Sequence, residues 1–381
     1  MSTGSEKLKI LFLIHDLGQG GAEKVLVNLV NHLDLDRFDV TVETIFAGGV
    51  NEQFLRPEVR HLNVYHVTLP GNSHLMKMFT PERLHKNFVT EHYDIEIGYL
   101  EGPSARVIAG CTDAATKKVA WIHRTMDEQH FREGFRSPSE AIRCYQTFDR
   151  IISVSEGVKD AFSSVSGLTE HCEVLYNVFD TDRITADAHK DAPELTEGDP
   201  IRLVAAGSLK EGKGFERLLS VANRLKKDGQ QFVLYVLGDG PLKSGLEQYV
   251  DENDLNKTVR FLGYQTNPYR FVSKCDLFIC PSLAEGFSTA TAEALILGVP
   301  VCSTEVSGAK ELLGLHNEYG LVAENTDEAL YEGVKKLLDD PDLLAYYKEK
   351  AKERGKKFST QETVKAVEEM LLLLNRKEGC A

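Results

Sequence analysis

The segment of this chain with the most chemistry is Glu285-Gly286-Phe287-Ser288-Thr289-Ala290-Thr291-Ala292-Glu293. The run before it, Cys275-Asp276-Leu277-Phe278-Ile279-Cys280-Pro281-Ser282, is apolar with a proline at its exit, which predicts a buried strand ending at the surface. The run after it, Ala292-Glu293-Ala294-Leu295-Ile296-Leu297-Gly298, predicts a helix closed by glycine. Ser288 and Thr289 are good caps for that helix, and Gly286 removes side-chain bulk just ahead of them. A helix starting at the carboxyl end of a parallel strand offers N–H groups and a positive dipole end, which suits a diphosphate. The bracketing carboxylates Glu285 and Glu293 would repel a bare phosphate, so their partners should be neutral hydroxyls, as on a sugar or a ribose. Phosphate flanked by polyols describes a nucleotide sugar.

Lys213, between Gly212 and Gly214 at the start of a further predicted helix, is the cation placed to meet a leaving phosphate. Its plainer reading is a solvated lysine. A glutamate near a helix start also gains about 0.3–1 kcal/mol with no ligand present, which accounts for Glu285 passably and for Glu293 poorly. His123 ends Val119-Ala120-Trp121-Ile122-His123, a predicted strand, and open sheets bind ligands at that end. Arg124, Glu101 and His15 stand at other predicted strand ends.

Stepping outward, strand patterns at 9–14, 39–46, 62–67, 94–100, 117–122, 150–154 and 172–176 alternate with helical ones. After an acidic stretch at 181–200, poor in large apolar residues, strands restart at 201–206, 232–237, 258–262, 276–280, 300–303 and 320–322. Helical patterns at 327–338, 341–358 and 361–374 close the chain. Such alternation predicts an α/β protein with parallel sheets and crossover helices, and 381 residues suffice for two domains. No apolar run reaches the roughly 18 residues of a membrane span and no signal-peptide pattern opens the chain, so the expectation is a cytoplasmic protein. The 7 cysteines include no CxxC pair, and Cys275, Cys280 and Cys302 sit in strand-like runs, which favours buried, reduced thiols over a metal role. A formal charge of −14 argues against a nucleic-acid partner.

Beyond the paired glutamates, an ordered set of motifs runs through most of 9–375. It comprises Gly20-Gly21-Ala22-Glu23, Gly207-Ser208-Leu209-Lys210-Glu211-Gly212-Lys213-Gly214, Leu237-Gly238-Asp239-Gly240-Pro241 and Phe261-Leu262-Gly263-Tyr264. Leu297-Gly298-Val299-Pro300-Val301, Gly308-Ala309-Lys310-Glu311 and Tyr319-Gly320-Leu321-Val322 follow. In that order they resemble the retaining glycosyltransferases of the GT-B fold, in particular family 4. The resemblance implies two Rossmann-like parallel-sheet domains facing each other across a cleft. It divides the chain into an acceptor-binding domain at 1–182, a linker at 183–200 and a nucleotide-sugar-binding domain at 201–358. A last helix in 359–381 would return to the N-terminal domain.

By the same resemblance, Glu293 would accept the ribose hydroxyls and Glu285 would face the donor sugar, beside Gly286 and the amides of Phe287, Ser288 and Thr289. The family reacts on one face of the sugar without a lasting covalent intermediate, so Glu285 is an orienting and electrostatic group. Gly207, Ser208, Lys213, Gly238 and Asp239 would surround the nucleotide and its phosphates, Tyr264 would lie by the base, and Gly21 would lie on the acceptor side. His123 would reach the donor sugar, making His123, Glu285 and Lys213 the catalytic set. Ser208 stands where the family has an arginine; it can donate a hydrogen bond but brings no charge, and Lys210 is a candidate to compensate. UDP is the family's usual nucleotide, and no separate cofactor is implied. Asp180-Thr181-Asp182 spells an acidic metal-binding triplet, but it continues Asn177-Val178-Phe179, a domain-end motif, so no metal site is expected.

The acceptor is the least legible part. Met76, Met78 and Phe79 stand among Lys77, Arg83 and Lys86 in 74–88, and Phe131 and Phe135 among Arg132, Arg136 and Arg143 in 130–145. Basic-aromatic segments suit a membrane surface carrying a lipid-linked saccharide, and equally suit solvated helix faces. The expectation is a growing cell-surface glycan or its lipid-linked precursor, met at the inner face of the plasma membrane. A nucleotide-sugar epimerase of GT-B shape and a nucleotide-sugar binder without turnover are the alternatives. A dinucleotide oxidoreductase is remote, because Gly18-Gln19-Gly20-Gly21 lacks the GxGxxG spacing.

Overall fold

The computed structural model describes residues 6–66, 76–192, 195, 198 and 200–376. Val67 of the expected third strand and His74 of the basic-aromatic segment lie outside them. The chain forms two compact units, residues 1–178 with 360–381, and 179–359.

In the first unit, β1 (Leu8–Ile14), β2 (Phe38–Phe46), β3 (Arg60–Tyr65), β4 (Ile95–Gly98), β5 (Lys117–Ile122), β6 (Arg150–Ser153) and β7 (Cys172–Val174) make one sheet. Its order is β3-β2-β1-β4-β5-β6-β7, and every pairing is parallel. The second unit holds β8 (Ile201–Ala206), β9 (Phe232–Leu237), β10 (Val259–Gly263), β11 (Leu277–Cys280), β12 (Val301–Thr304) and β13 (Leu321–Ala323). Their order is β10-β9-β8-β11-β12-β13, again all parallel. Both sheets are doubly wound, with helices on both faces, so central strands are apolar on every side: β9, Phe-Val-Leu-Tyr-Val-Leu, is buried at all six positions. Each order reverses once, between β1 and β4 and between β8 and β11. Such a switch point leaves a crevice at the strands' carboxyl ends where ligands bind.

The chain crosses between units at Val178/Phe179 and not within the expected 183–200 linker. Residues 181–188 are a helix whose start is capped by Asp180, the carboxylate accepting from Arg183 N at 3.0 Å. Ile184 and Ala188 are buried, and the Asp187 and Ala188 carbonyls accept from Asn267 (3.0 Å) and Ser273 (3.2 Å). Two apolar residues at helical spacing anchor an otherwise acidic segment, which composition averages away. Pro193 lies outside the described residues. The helix Thr360–Leu374 returns to the first unit, burying Val364, Val367, Met370, Leu371 and Leu374, while Glu368 accepts from Asp34 N at 2.8 Å.

Phe131 and Phe135, read from sequence as half of a basic-aromatic surface, are core residues, each 2 % exposed. Phe131 stacks on Tyr145 and meets Phe162 edge-on, so these rings belong to the helix 156–166 interface. Met76 is buried too, and among the described residues of 74–88 Met78 (73 % exposed) and Phe79 (38 %) are the exposed large apolar side chains. Their backbone is held by Arg106, itself 1 % exposed, which donates to the Met76 carbonyl at 3.0 Å and the Phe79 carbonyl at 2.7 Å. The same guanidinium grips Glu140 through Nη2 at 3.1 Å and Nε at 3.3 Å. Arg106→Leu leaves the Glu140 carboxylate with only the more distant Arg136 guanidinium, 4.0 Å away, as its cation and should cost about 3 kcal/mol. Denaturant unfolding checks this, and Glu140→Gln, which keeps an acceptor for Arg106, should cost less.

Candidate functional site

The loops leaving β8 and β11, on either side of the second unit's switch point, are laced together. The Leu283 N–H donates to the Gly212 carbonyl at 2.8 Å. Gly214 has φ 69°, and a Cβ there would lie 2.0 Å from the Pro281 carbonyl oxygen. Below, the Thr304 hydroxyl donates to the Ser282 carbonyl at 2.6 Å, and Asn325 donates to the Leu283 carbonyl at 2.9 Å. Arg217 fixes Asn325 in turn, at 2.6 Å. The spacing of 72 residues between Lys213 and Glu285 thereby closes to a contact: Nζ to Oε1 is 2.6 Å. The Ser282 hydroxyl donates to the same carboxylate oxygen at 2.7 Å.

The helix following this carboxylate is residues 289–296, with Ser288 as its N-cap. Ser288 Oγ accepts from Thr291 N at 3.3 Å and from the Thr291 hydroxyl at 2.9 Å. Thr289 opens the helix, and Gly286 and Phe287 sit between cap and carboxylate, Phe287 buried and facing Phe179 at a centroid distance of 6.5 Å. Glu293, one turn into the helix, is buried (9 % exposed) with the Tyr269 hydroxyl donating to Oε1 at 3.2 Å. A single segment thus presents a lysine-paired carboxylate, a capped helix start with N–H groups, and a second, buried carboxylate. That order suits a chain of polyol, phosphate and polyol.

The β8 and β9 exits are also joined. Gly207 N donates to the Leu237 carbonyl at 3.0 Å and Leu209 N to the Asp239 carbonyl at 2.9 Å. Gly238 has φ 146°, and a Cβ there would meet the Gly207 carbonyl oxygen at 1.8 Å. Loop-on-loop contact therefore already requires this glycine, in addition to any approach of a ligand. Asp239 turns back on its own loop, accepting from Gly240 N at 2.8 Å. Ser208 is half-buried and Lys210 exposed; Tyr264 is half-buried just past β10. Tyr269 and Ser282, partners of the two glutamates, carried no signal in the sequence, since neither lies in a spacing that marks a hydrogen bond.

In the first unit, His123 follows β5. Its ring lies 4.7 Å from Tyr99 and 6.4 Å from Trp121, and its buried Nε2 has no hydrogen-bond partner among the described residues. Burial pushes its pKa down to about 3, so the ring is neutral. Its backbone N–H donates to Glu101 at 3.0 Å, and Glu101 pairs with Arg124 at 3.1 Å; burial holds the Glu101 carboxyl above its usual range against that cation. Gly21 opens the helix 21–32 behind Gly20, over which the Glu23 carboxylate folds. His15 and Asp16, at the end of β1, share a 2.6 Å hydrogen bond. Asp180 is a helix cap and Asp182 stands in that helix's first turn. No helix among the described residues is long and apolar enough to cross a membrane.

Gly214→Ala should cost on the order of 3 kcal/mol or more, because it combines a left-handed φ with a clash against backbone. Gly212→Ala, two residues away at φ 85° with nothing within 4 Å of a Cβ, is the matched control. It should cost only about 1 kcal/mol. Thermal melts of the two variants make the comparison.

Comparison with known proteins bears on this arrangement. The family model described as Glycosyltransferase Family 4 matches residues 19–183, and the one described as Glycosyl transferases group 1 matches residues 187–354. A Campylobacter jejuni protein is 29 % identical over 361 residues, covering 92 % of this chain and 95 % of its own. It is an N-acetylgalactosamine-N,N'-diacetylbacillosaminyl-diphospho-undecaprenol 4-alpha-N-acetylgalactosaminyltransferase. Among solved structures, an Anabaena protein in complex with UDP and glucose superposes with a TM-score of 0.77 at 21 % identity, covering 96 % of this chain and 99 % of that one. Sucrose-phosphate synthase from Thermosynechococcus elongatus superposes with a TM-score of 0.76 at 16 % identity, covering 97 % and 99 %.

Proposed function

Because the chain belongs to the GT-B glycosyltransferases of the group 1 and family 4 type, we propose that it moves a hexosyl group from a UDP-sugar to a lipid-linked saccharide, with retention at the anomeric carbon and without a catalytic metal. The observation that carries this reading is the Lys213–Glu285 pair beside the capped helix start, one turn before Glu293. As the bond from the anomeric carbon to the diphosphate breaks, negative charge gathers on the leaving phosphate. Lys213 and the helix N–H groups supply positive potential for it, with Ser208 adding a hydroxyl but no charge. Glu285, held by Ser282 as well as Lys213, orients sugar hydroxyls, and Glu293 receives the ribose. The neutral His123 imidazole is suited to a sugar hydroxyl and unsuited to acid catalysis.

The acceptor reading draws on the Campylobacter relative, whose name places a diphospho-undecaprenol-linked saccharide in its reaction. It also draws on Met78 and Phe79, exposed beside Arg83, whose guanidinium lies 5.0 Å over the Phe79 ring. Arg136 Nε donates to the Lys77 carbonyl at 2.5 Å, so a second arginine borders the same turn. Apolar side chains ringed by cations match an anionic lipid surface.

Release of nucleotide from a panel of sugar donors, with lipid-linked and soluble acceptors and run both with and without EDTA, tests the proposal. Transfer to a lipid-linked acceptor is expected. Donor conversion without acceptor would select an epimerase, and no release at all would remove the transferase reading of this site. In calorimetry, Glu293→Ala should weaken UDP binding by about tenfold or more, roughly 1.4 kcal/mol. Glu285→Ala should leave UDP affinity within about threefold while lowering the transfer rate by about a hundredfold or more. Equal affinity losses would refute the division of roles. Sedimentation with anionic vesicles tests the surface: Met78→Ser with Phe79→Ser should lower partitioning by about tenfold, through lost apolar burial.

A further inference from the structure

We propose that His85, Glu96 and Cys111 form a structural binding site for a zinc-class divalent cation in the first unit. One donor atom from each, an imidazole nitrogen, a carboxylate oxygen and a thiol sulfur, lies within 4.8 Å of the others. They come from three separate elements. His85 is on the helix 81–88, Glu96 is on β4, and Cys111 is in the turn after the helix 103–108. The group is enclosed: Glu96 is 2 % exposed and Cys111 7 %. His85 is hydrogen-bonded to both Glu96 and Cys111, so the three donor atoms already converge on one point.

The donor set selects the ion. Nitrogen, oxygen and sulfur together suit borderline-soft Zn²⁺, whereas Mg²⁺ and Ca²⁺ take oxygen alone. The geometry needs little adjustment. His85 Nε2 and Glu96 Oε2 now share a hydrogen bond of 2.7 Å. Tetrahedral Zn²⁺ with bonds near 2.0–2.1 Å would hold those atoms about 3.3 Å apart, an opening of about half an ångström. The Cys111 backbone is fixed on both sides, its N–H donating to the Ile108 carbonyl at 3.0 Å and its carbonyl accepting from Lys118 Nζ at 3.5 Å. The fourth coordination position falls to water. Ligation requires thiolate and neutral imidazole, so binding releases protons to solvent. The ion would clamp helix 81–88 and the 109–111 turn onto β4. None of His85, Glu96 and Cys111 belongs to the proposed transfer site, so the role assigned to the ion is structural.

The test uses the full chain, stripped with chelator and titrated with Co²⁺. One equivalent should bind with a sulfur-to-cobalt charge-transfer band, and Zn²⁺ should displace it and raise the melting temperature. Cys111→Ser should abolish the band, and His85→Gln should weaken cobalt binding by tenfold or more. Cys172→Ser, at a cysteine outside the cluster, should change neither. Circular dichroism monitors folding, and if one cluster variant is not native the other carries the comparison. Absence of cobalt binding, binding without a thiolate band, or a band that survives Cys111→Ser or an affinity unchanged in His85→Gln would overturn the proposal and leave an adventitious ion only.

Discussion

The candidate site depends on the close approach of two loops at the β8/β11 switch point. Parallel strands end side by side, but their loops would ordinarily diverge to reach helices on opposite faces. Here the Gly212 carbonyl receives an N–H from the neighbouring loop, and Gly214 lets backbone touch backbone at Pro281. Thr304, Asn325 and Arg217 brace the same loop from beneath. The Lys213–Glu285 contact follows from this lacing. It is partly exposed, so as an ion pair it contributes little to stability. Its value lies in position: it holds a cation and a carboxylate side by side next to the capped helix start.

Burial then assigns different characters to groups of the same type. Glu285 is held by two donors at the rim, whereas Glu293 is enclosed beside a tyrosine hydroxyl. The two carboxylates therefore have different capacities: one can exchange partners with an entering ligand, and the other presents a fixed acceptor. His123 is made neutral by the same means, its ring enclosed by Tyr99 and Trp121. A neutral imidazole with an unpartnered buried nitrogen keeps a hydrogen-bonding position open, and only a solvated or carboxylate-paired one would carry protons at neutral pH.

The first unit spends its buried charge on architecture. Arg106 replaces a stretch of apolar packing with a four-bond hub tying the 76–79 turn to Glu140. His85 and Glu96 join a helix to β4 in a comparable way. Such groups specify one arrangement more sharply than they stabilise it, because desolvation offsets most of the Coulomb gain. The result is a turn whose backbone is fixed from within while Met78 and Phe79 face outward.

By itself the sequence determined the sheet strands, the crossover helices and the glutamate–helix–glutamate segment, because hydrophobic period, caps and glycine stops are local properties. The thirteen strands among the described residues overlap those expected, with ends shifted by a few residues. The return of the helix 360–374 to the first unit was legible only through family resemblance. Tertiary structure decided what depends on long-range distance: that Lys213 meets Glu285, that Tyr269 and Ser282 are their neighbours, and that His85, Glu96 and Cys111 converge. It also decided the facing of side chains. Phe131 and Phe135 stand in a short basic segment whose pattern fits either surface or core, and only packing against Tyr145 and Phe162 turned them inward. The physical reason is the same in each case. A residue's intrinsic preference is written in its own type and near neighbours, while its partner is set by where a distant stretch of backbone comes to rest.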